Sequence, residues 1–386
     1  MEITVNIKKW VRKTYMYLCY ITRPRKEKSV FFASFRGQYS DNPRAISECL
    51  HQMAPDVKIV WLVKPQFRKY VPDYVTVVPP KPRLALKAQA QSSVWVLNYV
   101  YRPTSGIYKN PSQFYIQTWH GDRGLKTIGY ADELSMAKKK MSKNSNGYLM
   151  SDCDLFIAAS EYGVMKAYKG LRYEGEVMTA GMPRNDKLAN LQTYKEEAVE
   201  IRKRLGIDSD TKILLYAPTY REAGDEFQCQ IDISQTVASL EAGGNKWICL
   251  IRSHSLTKQL KVTQKEAVCR DVSDYPDMAD LLLVTDLLIS DYSSCAGDFL
   301  LTGKPVILAH FDKESYESKD RLLWVDPEKA GYLVAKNQQE LNDILKSIDT
   351  YDHKIINEKI LQFYGTHESG HASETIAQRI ITELKR

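Results

Sequence analysis

From Ser29 onward, short and wholly apolar runs alternate with longer stretches in which apolar residues recur every three or four positions. "SVFFASF", "VKIVWLV", "VTVVPP", "SSVWVLN" and "QFYIQTW" are runs of the first kind, and "DCDLFIAAS" and "EVMTAG" continue them. Runs apolar at every position are strands covered on both faces, and the amphipathic stretches between them are the covering helices. One such helix follows "RGQYSDNP", where Asp41 or Asn42 can cap it with Pro43 in its first turn. "PRLALKAQAQ" is another. The pattern predicts a parallel α/β sheet.

After "GMPRNDKL" the pattern restarts. "YKEEAVEIRKRLGI" reads as a charged helix stopped by Gly206. A second alternating series follows: "KILLYAPTY", a helix near Ile233–Leu240, "KWICLIRSH", "DMADLLLVT", "DLLISDYSS" and "GDFLLTGKPVILA". At 386 residues the chain exceeds one ordinary core. The expected architecture is α/β, with two Rossmann-like domains facing across a cleft. Residues 29–190 form the first domain and 191–386 the second.

The remaining segment, 1–28, is different. It holds eight Lys and Arg against Glu2 and Glu27, a balance of +6 within a total of +7. The rest of the chain is close to neutral, so no basic groove for nucleic acid is expected. Trp10, Tyr15, Tyr17, Leu18, Tyr20 and Ile21 are interleaved with these cations. Such a helix can lie on an anionic membrane surface, or pack on the protein by its aromatic side. No apolar run is long enough to cross a membrane, and no secretory leader is evident. Seven cysteines without a C-x-x-C pair argue against a disulfide framework or a zinc site and fit a reducing cytoplasm.

Ligands of doubly wound sheets sit at the carboxyl ends of the strands, so the strand caps carry the chemistry. His120 ends "YIQTW"; Thr219, Tyr220 and Arg221 end "ILLYAP"; Arg252, Ser253 and His254 end "WICLI"; Asp291, Tyr292, Ser293 and Ser294 end "LLIS". The last cap opens a helix from about Ser294 to Leu301, closed by Gly303. Its free amides and the serine hydroxyls suit a phosphate, and Asp298 could accept from ribose or polyol hydroxyls. Ser294 capping the helix is the plainer alternative. Arg221 and Arg252 could clamp phosphate oxygens, or pair with carboxylates. His120 has Gly121 behind it and cations beyond it, which would hold the imidazole neutral and able to take a proton. G-x-G-x-x-G and P-loop motifs are absent, which disfavours a nicotinamide enzyme or an ATPase. No cofactor and no obligatory metal are expected.

The same caps carry a resemblance. "SFRGQYSDNPRAI", "QTWHGDRGLKTIG", "GMPRNDKL", "APTYRE", "IRSH" and "ISDYSSCAGDFLLTGKP" resemble, in order, the motifs of the CDP-glycerol glycerophosphotransferase family, the teichoic-acid primases and polymerases of bacteria. The resemblance runs from about Ser29 to about Leu361. It implies a GT-B-like fold with an acceptor-side N-terminal domain and a C-terminal domain that holds the CDP-alditol. It implies His120 as general base and His254 as a second essential histidine. Gly37 falls in the N-terminal glycine loop; Arg221, Arg252, Ser293, Ser294 and Asp298 fall at donor positions, with Thr219 and Asp291 in the same motifs.

The implied reaction moves glycerol phosphate from CDP-glycerol to a hydroxyl of a lipid-linked acceptor or growing polyol-phosphate chain, releasing CMP. It would occur at the cytoplasmic face of the membrane, to which the chain would bind peripherally. CDP-ribitol is the alternative donor, and a nucleotide-sugar glycosyltransferase on the same scaffold is a more distant one. In one place the chain departs from the family. Asp122-Arg123 stand where it usually has Thr-Pro. A carboxylate there could fix the His120 tautomer, raise its pKa and repel an anionic acceptor, with Arg123 offsetting the repulsion.

Overall fold

The computed structural model describes residues 2–23, 28–99, 108–133, 150, 152–219, 221, 230–253 and 268–386, with the backbone alone for 2–9 and Arg36. Its strands form two parallel sheets. The first has seven strands in the order β3-β2-β1-β4-β5-β6-β7: β1 Ser29–Ala33, β2 Lys58–Leu62, β3 Thr76–Val78, β4 Val94–Leu97, β5 Phe114–Gln117, β6 Leu155–Ala158 and β7 Glu176–Thr179. The second has six in the order β10-β9-β8-β11-β12-β13: β8 Lys212–Ala217, β9 Trp247–Ile251, β10 Cys269–Asp271, β11 Leu287–Ser290, β12 Val306–Ala309 and β13 Leu333–Ala335. The two parallel α/β domains are those of the GT-B-like arrangement.

Strands β1 and β9 are buried at every position. That is why they read as unbroken apolar runs rather than alternating ones. Each sheet reverses its strand order beside its first strand, between β1 and β4 and between β8 and β11. These are the places where crevices open at the carboxyl ends of strands. Helix Asp41–Met53 carries Pro43 in its first turn as expected, but its cap position is Ser40, without a side-chain capping bond, rather than Asp41 or Asn42. The charged helix Lys195–Arg204 ends before Gly206, whose φ of 62° suits glycine. The edge strands β10 and β13, three residues each, escaped the sequence pattern because so short a run shows no periodicity.

The last helix, Ala372–Glu383, departs from the expected second domain. Its Ile376, Ala377 and Ile380 are buried with Val30, Phe32, Ile46 and Ile116 in the core of the first sheet. The chain therefore crosses back, and its C-terminus belongs to the first domain's packing. The N-terminal helix Glu2–Ile21 is also tied to this domain. Met16 and Cys19 are buried against Phe31, Leu86 and Trp95, whereas Trp10, Val11, Leu18 and Ile21 stay exposed.

Backbone pairing and buried charge fix the two domains against each other. Lys126 forms an antiparallel bridge with Leu323, flanked by Thr127 N donating to Leu322 O (3.0 Å) and Trp324 N donating to Leu125 O (2.8 Å). Arg44 reaches Asp277 and Asp280 across the interface at 3.3 and 3.0 Å, and Lys187 pairs with Asp280 at 2.8 Å.

Candidate active site

Between the two sheets lies a cavity of about 560 Å³. Phe35, Gln38, Asp41, His120, Lys126 and Arg184 line it from the first domain. Thr219, Arg252, Ser293, Ser294 and Asp298 face them from the second. Among the described residues no group of three His, Cys, Asp or Glu side chains is placed to hold a metal ion.

His120 is aimed by its neighbours. Trp119 before it takes a left-handed φ of 52°, an uncommon conformation for a bulky residue and one that turns the chain sharply after β5. Asn42 Nδ2 donates to the carbonyls of Thr118 (3.3 Å) and Trp119 (3.1 Å), which holds that turn. Trp119 stacks on the imidazole with ring centroids 4.6 Å apart, and Phe35 flanks it at 5.6 Å. His120 Nδ1 lies 2.7 Å from the carbonyl oxygen of Asn98, at the end of β4. A carbonyl only accepts, so Nδ1 is the donor and the neutral ring keeps its lone pair on Nε2. The ring is open to the cleft, but protein surrounds the cleft. Withdrawal from bulk water pushes its pKa below the usual imidazole value; Arg184 and Lys126 act in the same direction, and the Asn98 carbonyl and Asp41 oppose them. Burial thus does most of what the sequence had assigned to nearby cations.

Asp122 does not touch the imidazole. Its carboxylate turns into the first domain, accepting from Ala159 N at 2.9 Å and from the Ser160 hydroxyl. It rests against Gly163, where a Cβ would come within 1.8 Å of Oδ1. The Nδ1 tautomer is set by Asn98, and the expectation that Asp122 fixes it is corrected. Arg123 is likewise no acceptor-facing cation. It is 1% exposed, with Nε donating to Gly297 O (3.1 Å) and Nη2 to Asp298 (3.3 Å) and Glu368 (2.7 Å). The dipeptide that departs from the family is a structural joint.

Asp298 lines the cavity, but both of its oxygens are already engaged. Oδ2 accepts from Arg184 Nη2 (2.7 Å) and Nε (3.2 Å); Oδ1 accepts from Asn185 (2.9 Å) and Arg123 (3.3 Å). It is the hub of a buried interdomain network rather than a free acceptor for a polyol. Arg184 also pairs with Asp41 at 3.0 Å, which carries the network to the cavity wall beside His120.

Arg221 and Asp291 do not line the cavity. Arg221 is spent on Asp312 (2.8 and 3.1 Å), Asp291 (3.0 Å) and Thr219 O (2.7 Å), and it lies over the Tyr316 ring. Asp291 accepts from Thr219 N at 2.8 Å and so pins the loop that follows β8. Both brace the loop after β8 rather than contact the cavity. Gly37 also stands back from it; its φ of 68° and the 2.9 Å bond from Lys64 N to its carbonyl make it a turn residue that presents Phe35 and Gln38. Thr219, Arg252, Ser293 and Ser294 are where the sequence placed them. Helix Cys295–Phe299 follows, with a 3₁₀ turn to Thr302 and Gly303 at φ 69°. Ser294 makes no side-chain capping bond, so its hydroxyl is left to the cavity. His254 and Tyr220 lie outside the described residues.

Gly121, behind His120, serves packing between domains. A Cβ there would lie 3.0 Å from Ser294 Oγ, and one at Gly124 would lie 3.0 Å from Ser294 Cβ. The two glycines let the His120 loop seat directly on Ser294 of the second domain.

The sequence pattern of CDP-Glycerol:Poly(glycerophosphate) glycerophosphotransferase matches residues 15–382. The chain belongs to this family. The match extends beyond both ends of the resemblance read from the motifs. The teichoic acid glycerol-phosphate transferase of Staphylococcus aureus (strain NCTC 8325 / PS 47) is 32% identical over 91% of this chain and 92% of its own length. A teichoic acid poly(glycerol phosphate) polymerase of Bacillus subtilis (strain 168) is also 32% identical, over 98% of this chain; the chain spans about half of it, 52%. The solved structure of the wall teichoic acid polymerase TagF superposes with a TM-score of 0.81 at 27% identity, over 97% of this chain and 94% of that one.

Sequence reasoning missed Asn98, Asp41 and Arg184 as site residues, and it identifies Lys126 only as a cation beyond His120. Arg184 sits inside the quoted "GMPRNDKL" motif and Lys126 inside "QTWHGDRGLKTIG", so a signal existed for these two. Asn98 acts through its backbone carbonyl, which no side-chain pattern reveals.

Proposed function

We propose that the protein transfers glycerol phosphate from CDP-glycerol to a hydroxyl of a lipid-linked acceptor or growing polyol-phosphate chain and releases CMP. The observation that carries this reading is His120, with Nδ1 committed to Asn98 and Nε2 open to a cavity whose far wall is Thr219, Arg252, Ser293 and Ser294. Nε2 takes the proton of the acceptor hydroxyl. The freed oxygen attacks the glycerol-bearing phosphorus in line, the bond from that phosphorus to the bridging oxygen breaks, and CMP leaves with the electron pair. Phosphoryl transfer asks mainly for positioning and charge stabilisation, which the serine hydroxyls and Arg252 can supply. A TagF structure soaked with CDPG, 26% identical and covering the whole of this chain, supports the donor class.

Ribitol-phosphate polymerases of S. aureus are 27% and 28% identical over 70% and 72% of this chain, so CDP-ribitol is the second donor to test. Purified protein is incubated with each donor and a lipid-linked acceptor analogue, and nucleotide release is followed by chromatography. CMP from CDP-glycerol is expected. Release of a nucleoside diphosphate from a nucleotide sugar, with no CMP from either alditol donor, would overturn the reaction class.

We also propose that the protein works peripherally at the cytoplasmic membrane face. Trp10, at 68% exposure, and Val11, Leu18 and Ile21 stand out from a helix rich in cations, a combination that favours an anionic interface. Sedimentation with anionic vesicles, lost on replacing Trp10 and Leu18 by Ser, is the expected outcome; equal sedimentation of the variant would sink this role for the helix.

A further inference from the structure

Lys126 is a cavity-lining cation that forms no ion pair among the described residues. The arginines of the interface are spoken for: Arg123 by Asp298 and Glu368, Arg184 by Asp298 and Asp41, and Arg221, behind the cavity, by Asp312 and Asp291. The neighbouring Lys166 is buried beneath the same loop, donating to the carbonyls of Asp122 (3.0 Å) and Gly124 (2.7 Å). Lys126 lines the cavity, and its amine makes no hydrogen bond or ion pair with any described residue.

Its placement follows from local structure. Residues 125–127 form a short extended segment bridged to Leu323, and successive side chains of such a segment point to opposite sides. Leu125 is buried in the second domain's core, and Thr127, buried on the same side of the alternation, donates its hydroxyl to Leu322 O at 3.0 Å. Lys126 between them is directed into the cleft. Bonds on either side, Thr127 N to Leu322 O and Trp324 N to Leu125 O, hold it there. A desolvated ammonium without a partner destabilises a fold, and is tolerated where a ligand supplies the anion. Asp291, Cys295, Arg221 and Arg321 lie within electrostatic reach of its amine, and Lys126 in turn acts on His120, so it stands between the proposed base and the donor-side strand ends.

We infer that Lys126 is a catalytic residue of the proposed transfer, its ammonium contacting the diphosphate of the donor and offsetting the charge that develops on CMP as the phosphorus–oxygen bond breaks. It donates hydrogen bonds and gives up no proton, so the proton count stays that of His120 and the acceptor. Burial, aided by Arg321 and Arg221, lowers its pKa to about 8, which leaves it mostly charged at neutral pH and strongly responsive to an incoming dianion.

This inference rests on the proposed function. The test compares wild type with Lys126→Met and Lys126→Arg, measuring CMP release from CDP-glycerol, binding of CMP by titration calorimetry, and thermal unfolding with and without CMP. For Lys126→Met the expected result is a kcat lower by roughly 10²–10³-fold, as for loss of a charge-stabilising donor. CMP binding should weaken at least about tenfold while the unliganded melting temperature holds or rises, because an unpaired charge has been removed. Lys126→Arg should recover part of the rate. A merely structural lysine would lower the unliganded melting temperature and leave CMP affinity unchanged, and that result would overturn the inference. Wild-type turnover in Lys126→Met would sink it as well and leave the proposed function standing. Wild-type protein that releases no CMP from either alditol donor would remove both.

Discussion

His120 Nδ1 is held 2.7 Å from the main-chain oxygen of Asn98, and the Asn98 side chain is itself tied to the end of β1. Its Oδ1 accepts from Phe35 N at 3.0 Å, and its Nδ2 donates to Ser34 Oγ at 3.0 Å. The tautomer of the base therefore depends on a junction between β1 and β4, at the switch point of the sheet. His120→Ala should cut CMP release by roughly 10²–10⁴-fold with little change in unfolding, since the ring makes one hydrogen bond and faces the cleft. Asn98→Ala should act differently. It removes the partner of the half-buried Phe35 amide and leaves Ser34 Oγ with Ser40 Oγ alone, at about 1–3 kcal/mol of stability, and lets the carbonyl drift, lowering kcat more than it raises KM. Denaturant titration and steady-state kinetics on both variants check this; unchanged kinetics in His120→Ala would remove it as the base.

The pH profile of kcat/KM should have its acid midpoint below 6.5, because burial, Arg184 and Lys126 outweigh the Asn98 carbonyl and Asp41. Activity needs Nε2 unprotonated, so a lowered pKa extends activity toward acid. The stability linkage has the same sign: the unfolded chain binds this proton more tightly, so stability rises with pH from the folded pKa up to 6.5 and is then constant for this group. An alkaline limb near pH 8 is expected from Lys126, faced by Asp291, Cys295, Arg221 and Arg321. In Lys126→Met that limb should vanish while the acid limb stays. An acid midpoint above 7 would contradict the assignment.

The strands and their polar caps were legible because a strand buried on both faces is an unbroken apolar run, and because the cleft of a doubly wound sheet must lie at strand ends. Thr219, Arg252, Ser293 and Ser294 were found that way. What the caps do was less legible. Asp298 and Arg221 look like ligand-binding groups in one dimension; their partners, Arg184 and Asp312, lie 114 and 91 residues away. Asp122 is two residues from His120, yet it faces Ser160 on another strand's end, because neighbours in sequence point in different directions at a tight turn. The last helix misled for the same reason: its apolar face specifies burial, and nothing in it names the sheet it covers.

Asp298→Ala tests whether that carboxylate binds donor or holds the domains together. It would leave Arg123 and Arg184 short of a counter-charge in a buried site, and breaking a buried pair from one side typically costs about 3–5 kcal/mol. The expected result is a large loss of stability in denaturant. Activity at low temperature should be limited by the folded fraction. Unchanged stability with a raised KM for CDP-glycerol would instead return Asp298 to the donor site.

Gly297→Ala probes the joint from the opposite side. Gly297 lies within helix Cys295–Phe299, where alanine is favoured over glycine by about 1 kcal/mol on propensity alone. Its Cβ, however, would fall 2.6 Å from both Cβ and the carbonyl oxygen of Arg123. The second of these is backbone and cannot swing aside. Overpacking a tight contact costs about 1–3 kcal/mol, so the clash outweighs the propensity gain and the variant should be less stable. Relief requires the 120–126 loop to move away from Ser294 of the second domain, so CMP release should fall by more than the loss of folded protein explains. Gly243→Ala is the control: its Cβ would meet only Leu240 O, at 3.4 Å, far from the cleft, and both stability and rate should match wild type. A Gly297→Ala protein as stable and as active as that control would show that the close seating of Arg123 on this helix is not needed for the site.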